Sequence, residues 1–256
     1  MPDFTKPLED IEKEWSSCVA CELGPRRLSE NVPLMSGMGR PGGILVIAPT
    51  PTEVDEVAKS MYEEDVLRIL REQMDSRGIG HVYYTYLLAC RSASHAVDAK
   101  GLPRLRRGAP VWNQEPLKPS NVAACLPRVH EIIYRVDPVV ILLLGNAVAE
   151  AFGVKHNLTA GHAVVTVSIP GAGYTPVLTE KRQLWLRHKG EEVSAPVARN
   201  DVYYTAICTY DPAYIAAKAH DQHPNSPSMR FVASLRAAVS LFEERHLQVF
   251  NAPYRR

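Results

Sequence analysis

The chain has 256 residues, of which 46% are hydrophobic and 22% are charged, and its 29 Lys and Arg nearly balance its 28 Asp and Glu. This composition is typical of a globular protein and excludes disordered, collagen-like and coiled-coil chains. The formal net charge of +1 also excludes an overall basic nucleic-acid binder, so any basic surface must be local.

No segment predicts membrane insertion or export. The longest apolar run, residues 139–144, is far shorter than a membrane-spanning helix. The polar and acidic N-terminal sequence lacks the pattern of a signal peptide. We therefore expect a cytoplasmic protein with no membrane partner.

Five short, mostly β-branched apolar runs predict the strands of a largely parallel sheet. They occupy residues 44–48, 82–88, 139–144, 163–169 and 203–208. Helical periodicity lies between and after these runs, at residues 53–76, 121–135, 147–152 and 229–244. The alternation predicts a single α/β domain over residues 1–256, without internal repeats.

Two polar insertions, residues 92–120 and 171–200, interrupt this alternation. The first is locally basic and carries Lys100, Arg104, Arg106, Arg107 and Lys118. The second places Lys181, Arg182, Arg187, His188 and Lys189 around Trp185. Basic residues interleaved with an aromatic side chain suit a groove that follows a nucleic-acid strand. A solvated loop is the alternative for both insertions.

The five cysteines are an odd number, which argues against a disulfide framework. Cys18 and Cys21 form a C-x-x-C pair that suits zinc or an iron–sulfur cluster; because it precedes the first predicted strand, redox chemistry is disfavoured. A metal centre needs further ligands, and Cys90 and Cys125 follow a strand and lie in a helix, respectively. Cys208, in an apolar strand, is expected to be a packing thiol. The alternative is that all five are buried as small apolar side chains.

Six short motifs follow one another in a recognisable order. They are Cys18-x-x-Cys21, LVIAPTP at 45–51, VYYTYLLACR at 82–91, CLP at 125–127, PVVILLLGNA at 138–147 and TYDPAY at 209–214. In this order they resemble the family-4 uracil-DNA glycosylases, the iron–sulfur branch of the uracil-DNA glycosylase superfamily. The similarity extends from Cys18 to the last predicted helix, apart from the two insertions.

This resemblance implies a three-layer αβα sandwich around a mostly parallel sheet of four to five strands. It also implies one [4Fe–4S] cluster, held by Cys18, Cys21, Cys90 and Cys125. Four thiolates suit zinc as well, but the resemblance favours iron–sulfur. Divergence of this kind is common in virus-encoded relatives, in which case the location is the host cytoplasm.

Three positions of the base pocket depart from the resembled family. Where that family has Gly-Glu-Ala-Pro-Gly, residues 48–52 read APTPT, so Pro49, beside Thr50, replaces the acid that helps to position water. Tyr86 replaces the Asn that reads uracil, and Asp211 replaces the His that stabilises the departing base. The family's Gly-Arg-Pro-Phe stretch has no clear match; Met61 or Tyr62 is nearest in sequence to the Phe that stacks on the base.

These departures predict the loss of base excision. The reaction places negative charge on the leaving base, which a catalyst must stabilise with aimed donors. Pro49 has no N–H to offer, Tyr86 would crowd a flipped base, and an ionised Asp211 would repel the developing anion. We therefore expect a catalytically inactive glycosylase-like protein that binds DNA or a DNA-associated protein partner in DNA replication, repair or modification.

Two alternatives stay open at this level. The first is an active base-flipping glycosylase or base-processing enzyme with a rebuilt site, which would use Asp211 with Asp55 or Glu53 as acid or base. The second is a structural subunit of a larger complex, whose cluster only fastens the N-terminal segment to the sheet. The expected DNA contacts are Arg91, Arg104, Arg106, Arg107, Tyr214 and Lys218.

Overall fold

The computed structural model describes most of the chain. The described residues are 8–76, 79–98, 100, 102, 104–106, 109–110, 112–154, 163–170, 201–218, 223 and 226–250. The helices are α1 (Leu8–Trp15), α2 (Leu23–Ser29), α3 (Glu53–Ala58), α4 (Asp65–Ser76), α5 (Pro119–Val136), α6 (Asn146–Ala151), α7 (Pro212–Ala217) and α8 (Pro227–Phe250). None of these helices is long and apolar enough to cross a membrane.

Six of the strands form one mixed sheet. They are β1 (Met38–Gly39), β2 (Ile44–Ala48), β3 (Val82–Tyr86), β8 (Val140–Leu144), β9 (Ala163–Pro170) and β10 (Asp201–Thr209). Their order across the sheet is β1-β3-β2-β8-β10-β9. The four central strands, β3, β2, β8 and β10, run parallel to one another. The edge strands β1 and β9 are antiparallel to their neighbours.

The central strands are covered on both faces. Every residue of β2, β3 and β8 is buried, and successive side chains of a strand point to opposite faces. Helix α5 contacts β3, while α8 contacts β2, β8 and β10. This burial explains why the runs at 44–48 and 139–144 are continuously apolar rather than alternating.

The α/β class is confirmed, whereas the sheet is larger and less parallel than expected. The five predicted strands are present, and the two-residue strand β1 adds a sixth. The predicted strand 82–88 ends at Tyr86. The next two amides, of Leu87 and Leu88, both point to the same side and donate to the carbonyls of Ala48 and Pro49, whereas successive amides of a strand point to opposite sides. The antiparallel direction of β9 was not predicted.

The predicted helix over 53–76 is wrong as a single element, because it is divided into α3 and α4. Lys59 and Tyr62 adopt the left-handed conformation, with φ of 52° and 61°, which ends α3. The amide of Glu63 donates to the carboxylate of Asp55 at 2.7 Å instead of continuing a helical ladder. A side-chain acceptor therefore fixes the break.

The first insertion forms short antiparallel pairs. Strand β4 (Ala93–His95) pairs with β7 (Trp112–Gln114), and β5 (Leu105–Arg106) pairs with β6 (Ala109–Pro110). The second insertion, residues 171–200, lies outside the described residues, between the edge strand β9 and β10.

Candidate functional site

The predicted pocket residues lie at one edge of the sheet. Parallel strands place their carboxyl ends together, and ligands of open α/β sheets bind at that edge. Pro49 and Thr50 follow β2, and Asp211 follows β10 after one residue. Tyr86 is the last residue of β3, four residues before Cys90. The structure thus brings the pocket positions and one proposed metal ligand to a common edge.

The four proposed metal ligands lie near one another, and three of them, Cys21, Cys90 and Cys125, share one small apolar cluster. Burial raises the pKa of the Cys90 thiol to about 11, and the neighbouring thiols of Cys125 and Cys21 contribute to this rise. Burial likewise raises the pKa of Cys125, with smaller contributions from Cys21 and Cys18. Cys208 is a separate case, since it is fully buried in β10 and burial alone raises its pKa to about 11.

A tight turn presents the first two cysteines. The amide of Cys18 donates to the carbonyl of Trp15 at the end of α1, and the amide of Gly24 donates to the carbonyl of Cys21. A Cβ atom on Gly24 would lie 2.3 Å from the carbonyl oxygen of Cys18. Only glycine permits this approach between the C-x-x-C segment and the first turn of α2.

The other two cysteines come from the segment after β3 and from α5. The hydroxyl of Thr50 donates to the carbonyl of Cys90 at 2.9 Å and accepts from the amide of Ser92 at 3.0 Å. Thr50, expected in the base pocket, therefore holds the loop that carries Cys90. Cys125 lies in the second turn of α5 and shares a small apolar cluster with Cys90 and Cys21.

The residues around these thiols fit an anionic metal group. Arg128 is fully buried and Arg27 is 3% exposed, and each Nε–H has no acceptor among the described residues. Both guanidinium groups interact with the thiols of the cluster. Thiolates are the ligands of iron–sulfur clusters and of structural zinc. Among the described residues, however, no group of three or more His, Cys, Asp or Glu side chains is arranged so that it could hold a metal ion.

Tyr86 fills the space at the end of β3. Its side chain is fully buried, and its hydroxyl donates to Oδ2 of Asp55 at 2.9 Å. The same hydroxyl accepts the amide of Tyr62 at 2.9 Å. Burial, reinforced by the Asp55 carboxylate, raises the Tyr86 pKa well above its ordinary value, so the phenol stays protonated and keeps donating.

Asp55 is fully committed to this network. It is completely buried, and its carboxylate accepts four hydrogen bonds: two from Thr52, one from Tyr86 and one from the amide of Glu63. The contact with Thr52 is the capping box that begins α3. The Asp55 carboxylate is therefore held inside the protein, away from solvent.

Aromatic packing closes the same region. The ring of Tyr62, which is fully buried, lies 5.0 Å from the rings of both Tyr84 and Tyr86. Its hydroxyl donates to the carbonyl of Thr85 at 2.9 Å. Met61 is also buried. The residues nearest in sequence to the expected base-stacking Phe are thus held inside the core.

Asp211 caps α7. Its Oδ1 accepts the amide of Ala213 at 2.8 Å, and its Oδ2 faces Gly145, whose added Cβ would lie 3.0 Å from it. Burial raises the Asp211 pKa, and hydrogen bonds from backbone amides partly oppose that rise. Asp211 is therefore partly buried at the sheet edge, with a structural task as a helix cap.

The expected DNA contacts divide into buried and exposed residues. Arg91 is only 4% exposed, and its Nε donates to Glu56 at 2.6 Å, so it lies inside the protein. Arg104, Tyr214 and Lys218 are exposed. For Arg106 the structure describes the backbone alone, and Arg107 lies outside the described residues. Glu53, a candidate acid or base, is exposed on α3 and lies 3.6 Å from Arg91.

Three buried charged residues of the candidate site were not identified from the sequence: Arg27, Arg128 and Glu56. Glu56 joins Arg91 to Arg26, which donates to the Glu56 carboxylate at 2.9 Å. One available signal is the three-residue spacing of Cys125 and Arg128, which places both on one face of a helix. Arg27 follows the C-x-x-C pair closely but carries no such pattern.

Neither the models of known protein families nor the curated proteins contain a match to this sequence.

Replacing Tyr86 by Phe is expected to destabilise the protein by about 1–3 kcal/mol, because a buried amide and a buried carboxylate each lose a partner. Urea unfolding measures this change. The control is Tyr214→Phe, at a side chain that is 44% exposed, with an expected change below about 0.5 kcal/mol. Equal free energies of unfolding for the two variants would contradict a stabilising role of the Tyr86 hydrogen bonds.

Protein purified without oxygen is expected to be brown and to contain about four iron atoms per chain, as a [4Fe–4S] cluster requires. Elemental analysis and visible absorption measure this. Cys90→Ser should lose the iron, whereas Cys208→Ala should retain it. Zinc without iron would assign the centre to zinc, and the absence of both metals would contradict the ligand set.

Proposed function

We propose that this chain is a catalytically inactive, uracil-DNA-glycosylase-like iron–sulfur protein that acts by binding DNA, in replication, repair or modification. The proposal includes a three-layer αβα sandwich and a [4Fe–4S] cluster on Cys18, Cys21, Cys90 and Cys125. The observation that carries it is the buried Tyr86–Asp55 network, which occupies the expected base pocket beside four converging cysteines.

The support for inactivity is that each pocket position has a structural task. Tyr86 and Asp55 bind each other, Thr50 holds the Cys90 loop, and Asp211 caps α7. Excision needs a preorganised donor at the leaving base. At the edge of the sheet, Pro49 brings no N–H, and Asp211 presents a carboxyl group where a donor is required.

The support for DNA binding comes from exposed side chains near the same edge. Tyr214 and Lys218 are four residues apart on and just after α7, and both are exposed. The ring of Tyr214 is stacked on Tyr210 at 5.8 Å, which orients it. An oriented aromatic ring beside a cation suits a single strand, whose bases stack and whose phosphates bind cations. Arg104, also exposed, adds a basic position in the first insertion.

Asp211 supports a second candidate, an active base-processing enzyme with a rebuilt site. It is a partly buried carboxyl group at the ligand-binding edge of the sheet, and burial raises its pKa. Perturbed carboxyl groups in such places are candidate acids or bases. Asn at this position keeps the helix cap and removes the ionisable group, so Asp211→Asn separates the two tasks.

We expect no abasic sites when the protein is incubated with single-stranded DNA containing uracil or other modified bases. Loss of one preorganised group costs about 100- to 1,000-fold in rate, and here several are replaced. The triple variant Pro49→Glu, Tyr86→Asn and Asp211→His tests whether the scaffold can regain excision. Excision by the natural sequence that disappears in Asp211→Asn would overturn the proposal and establish the second candidate.

The triple charge reversal Arg104→Glu, Arg106→Glu and Arg107→Glu is expected to weaken single-stranded DNA binding. The slope of the logarithm of the binding constant against the logarithm of the salt concentration should also become shallower, by about 0.7 for each phosphate that the protein no longer neutralises. The matched control reverses three charges on helices, at Lys13, Arg68 and Arg236. Equal DNA binding by both triple variants would show that the first insertion is a solvated loop. Binding of the natural protein to a protein partner but not to DNA would contradict the proposed DNA binding.

A further inference from the structure

Arg128 is a buried cation without a carboxylate. It is fully buried, and among the described residues its guanidinium group contacts backbone carbonyls, one hydroxyl and the Cys125 thiol, but no carboxylate. Nη1 donates to the carbonyl of Ser36 at 2.9 Å, and Nη2 donates to that of Tyr86 at 2.5 Å. The carbonyls accept hydrogen bonds from its Nη groups but do not balance its charge, and an unbalanced buried charge is strongly unfavourable.

Three other arginines with buried or half-buried side chains are balanced by carboxylates. Arg91 and Arg26 both bind the carboxylate of Glu56, at 2.6 Å and 2.9 Å. Arg135, seven residues after Arg128 on α5, binds Glu131 at 2.7 Å. The absence of an acid partner therefore distinguishes Arg128 from Arg26, Arg91 and Arg135.

Arg27 is a second cation of the same kind. It is 3% exposed, and it donates to the carbonyls of Val32, at 3.1 Å, and Ser16. In the described part of the chain it has no carboxylate partner, and its Nε–H, like that of Arg128, has no acceptor. Two buried guanidinium groups thus lack both a counter-charge and an acceptor for one N–H each.

Both cations lie beside the four cysteines. Arg128 follows Cys125 by three residues, on the same face of α5. Nη2 of Arg128 also donates to the carbonyl of Leu87, three residues before Cys90, at 3.3 Å. Nη2 of Arg27 donates to the carbonyl of Ser16, two residues before Cys18. The missing counter-charge therefore belongs at the cysteine centre.

The charges balance when the proposed cluster is present. Four thiolates and an oxidised [4Fe–4S] core carry a net charge of about −2, and two guanidinium groups carry +2. We infer that Arg27 and Arg128 are the charge-compensating residues of the cluster, which hold it in the protein and raise its reduction potential. This inference rests on the four-cysteine cluster of the proposed function.

Removal of either cation is expected to lower the reduction potential of the cluster. Reduction adds a negative charge, so a nearby cation stabilises the reduced cluster more than the oxidised one, and its removal lowers the reduction potential. The two unbonded Nε–H groups are donors of the kind that tune cluster potentials through hydrogen bonds to sulfur. A purely structural role, in which Arg128 only ties carbonyls together, predicts no change in potential.

The test compares Arg128→Gln and Arg27→Gln with Arg128→Lys, in full-length protein purified without oxygen. Arg135→Gln is the matched control, since it removes a buried arginine from the same helix that already has an acid partner. The readouts are iron content, the reduction potential from a titration followed by electron paramagnetic resonance, and the rate of metal loss to a chelator. The Gln variants should have lower potentials and weaken metal retention by about 10- to 100-fold. Arg128→Lys should restore much of both.

Each outcome is decisive. Unchanged potential and metal retention in both Gln variants would overturn the inference while leaving the cluster in place. If Arg128→Gln does not fold, Arg27→Gln decides in the same way. If the metal is zinc, chelator resistance is the deciding readout. A natural protein that holds no metal would remove the cluster itself, a result distinct from a cluster insensitive to both arginines.

Discussion

The carboxyl edge of the sheet depends on how Tyr86 is held from two sides. Its hydroxyl donates to the buried carboxylate of Asp55, and its carbonyl accepts a 2.5 Å hydrogen bond from the buried guanidinium group of Arg128. Asp55 fixes the start of α3 and the loop that follows it. Arg128 lies beside the cysteines. Tyr86 therefore connects the Asp55 network with the proposed metal centre.

A second connection runs through Glu56, which follows Asp55 in α3. Its carboxylate binds Arg26 from α2 and Arg91, the neighbour of Cys90. The segments carrying Cys21 and Cys90 are thus both tied to α3 by ion pairs that are largely buried. In such surroundings the removal of one partner leaves a buried charge and is costly. Under the proposed function, the ion pairs and hydrogen bonds of α3 that hold the cysteine segments in place also keep the base pocket closed.

The sequence predicted correctly those elements whose own residues show a pattern of burial. The continuous apolar runs of β2 and β8 predicted central strands, and the periodic apolar residues after Pro119 predicted α5. Burial of Cys208 followed from its strand in the same way. These features depend on local pattern, which periodicity captures.

The parts that sequence reasoning missed depend on partners far along the chain. Asp55 looked like a candidate acid because Tyr86, 31 residues away, was not known to bind it. Arg91 was expected at the surface because charged residues are rarely buried unless paired, and its partner Glu56 is 35 residues away. The division of helix 53–76 has the same cause, because the Asp55 carboxylate and the Tyr86 hydroxyl capture amides that a helix would have used.

The most direct test of the central claim is iron-edge anomalous diffraction from crystals of protein purified without oxygen. The account predicts one strong anomalous peak, bounded by the sulfur atoms of Cys18, Cys21, Cys90 and Cys125, with Arg128 alongside and Tyr86 still bound to Asp55. An iron site elsewhere, or four cysteines that pack as free thiols around no metal, would contradict it.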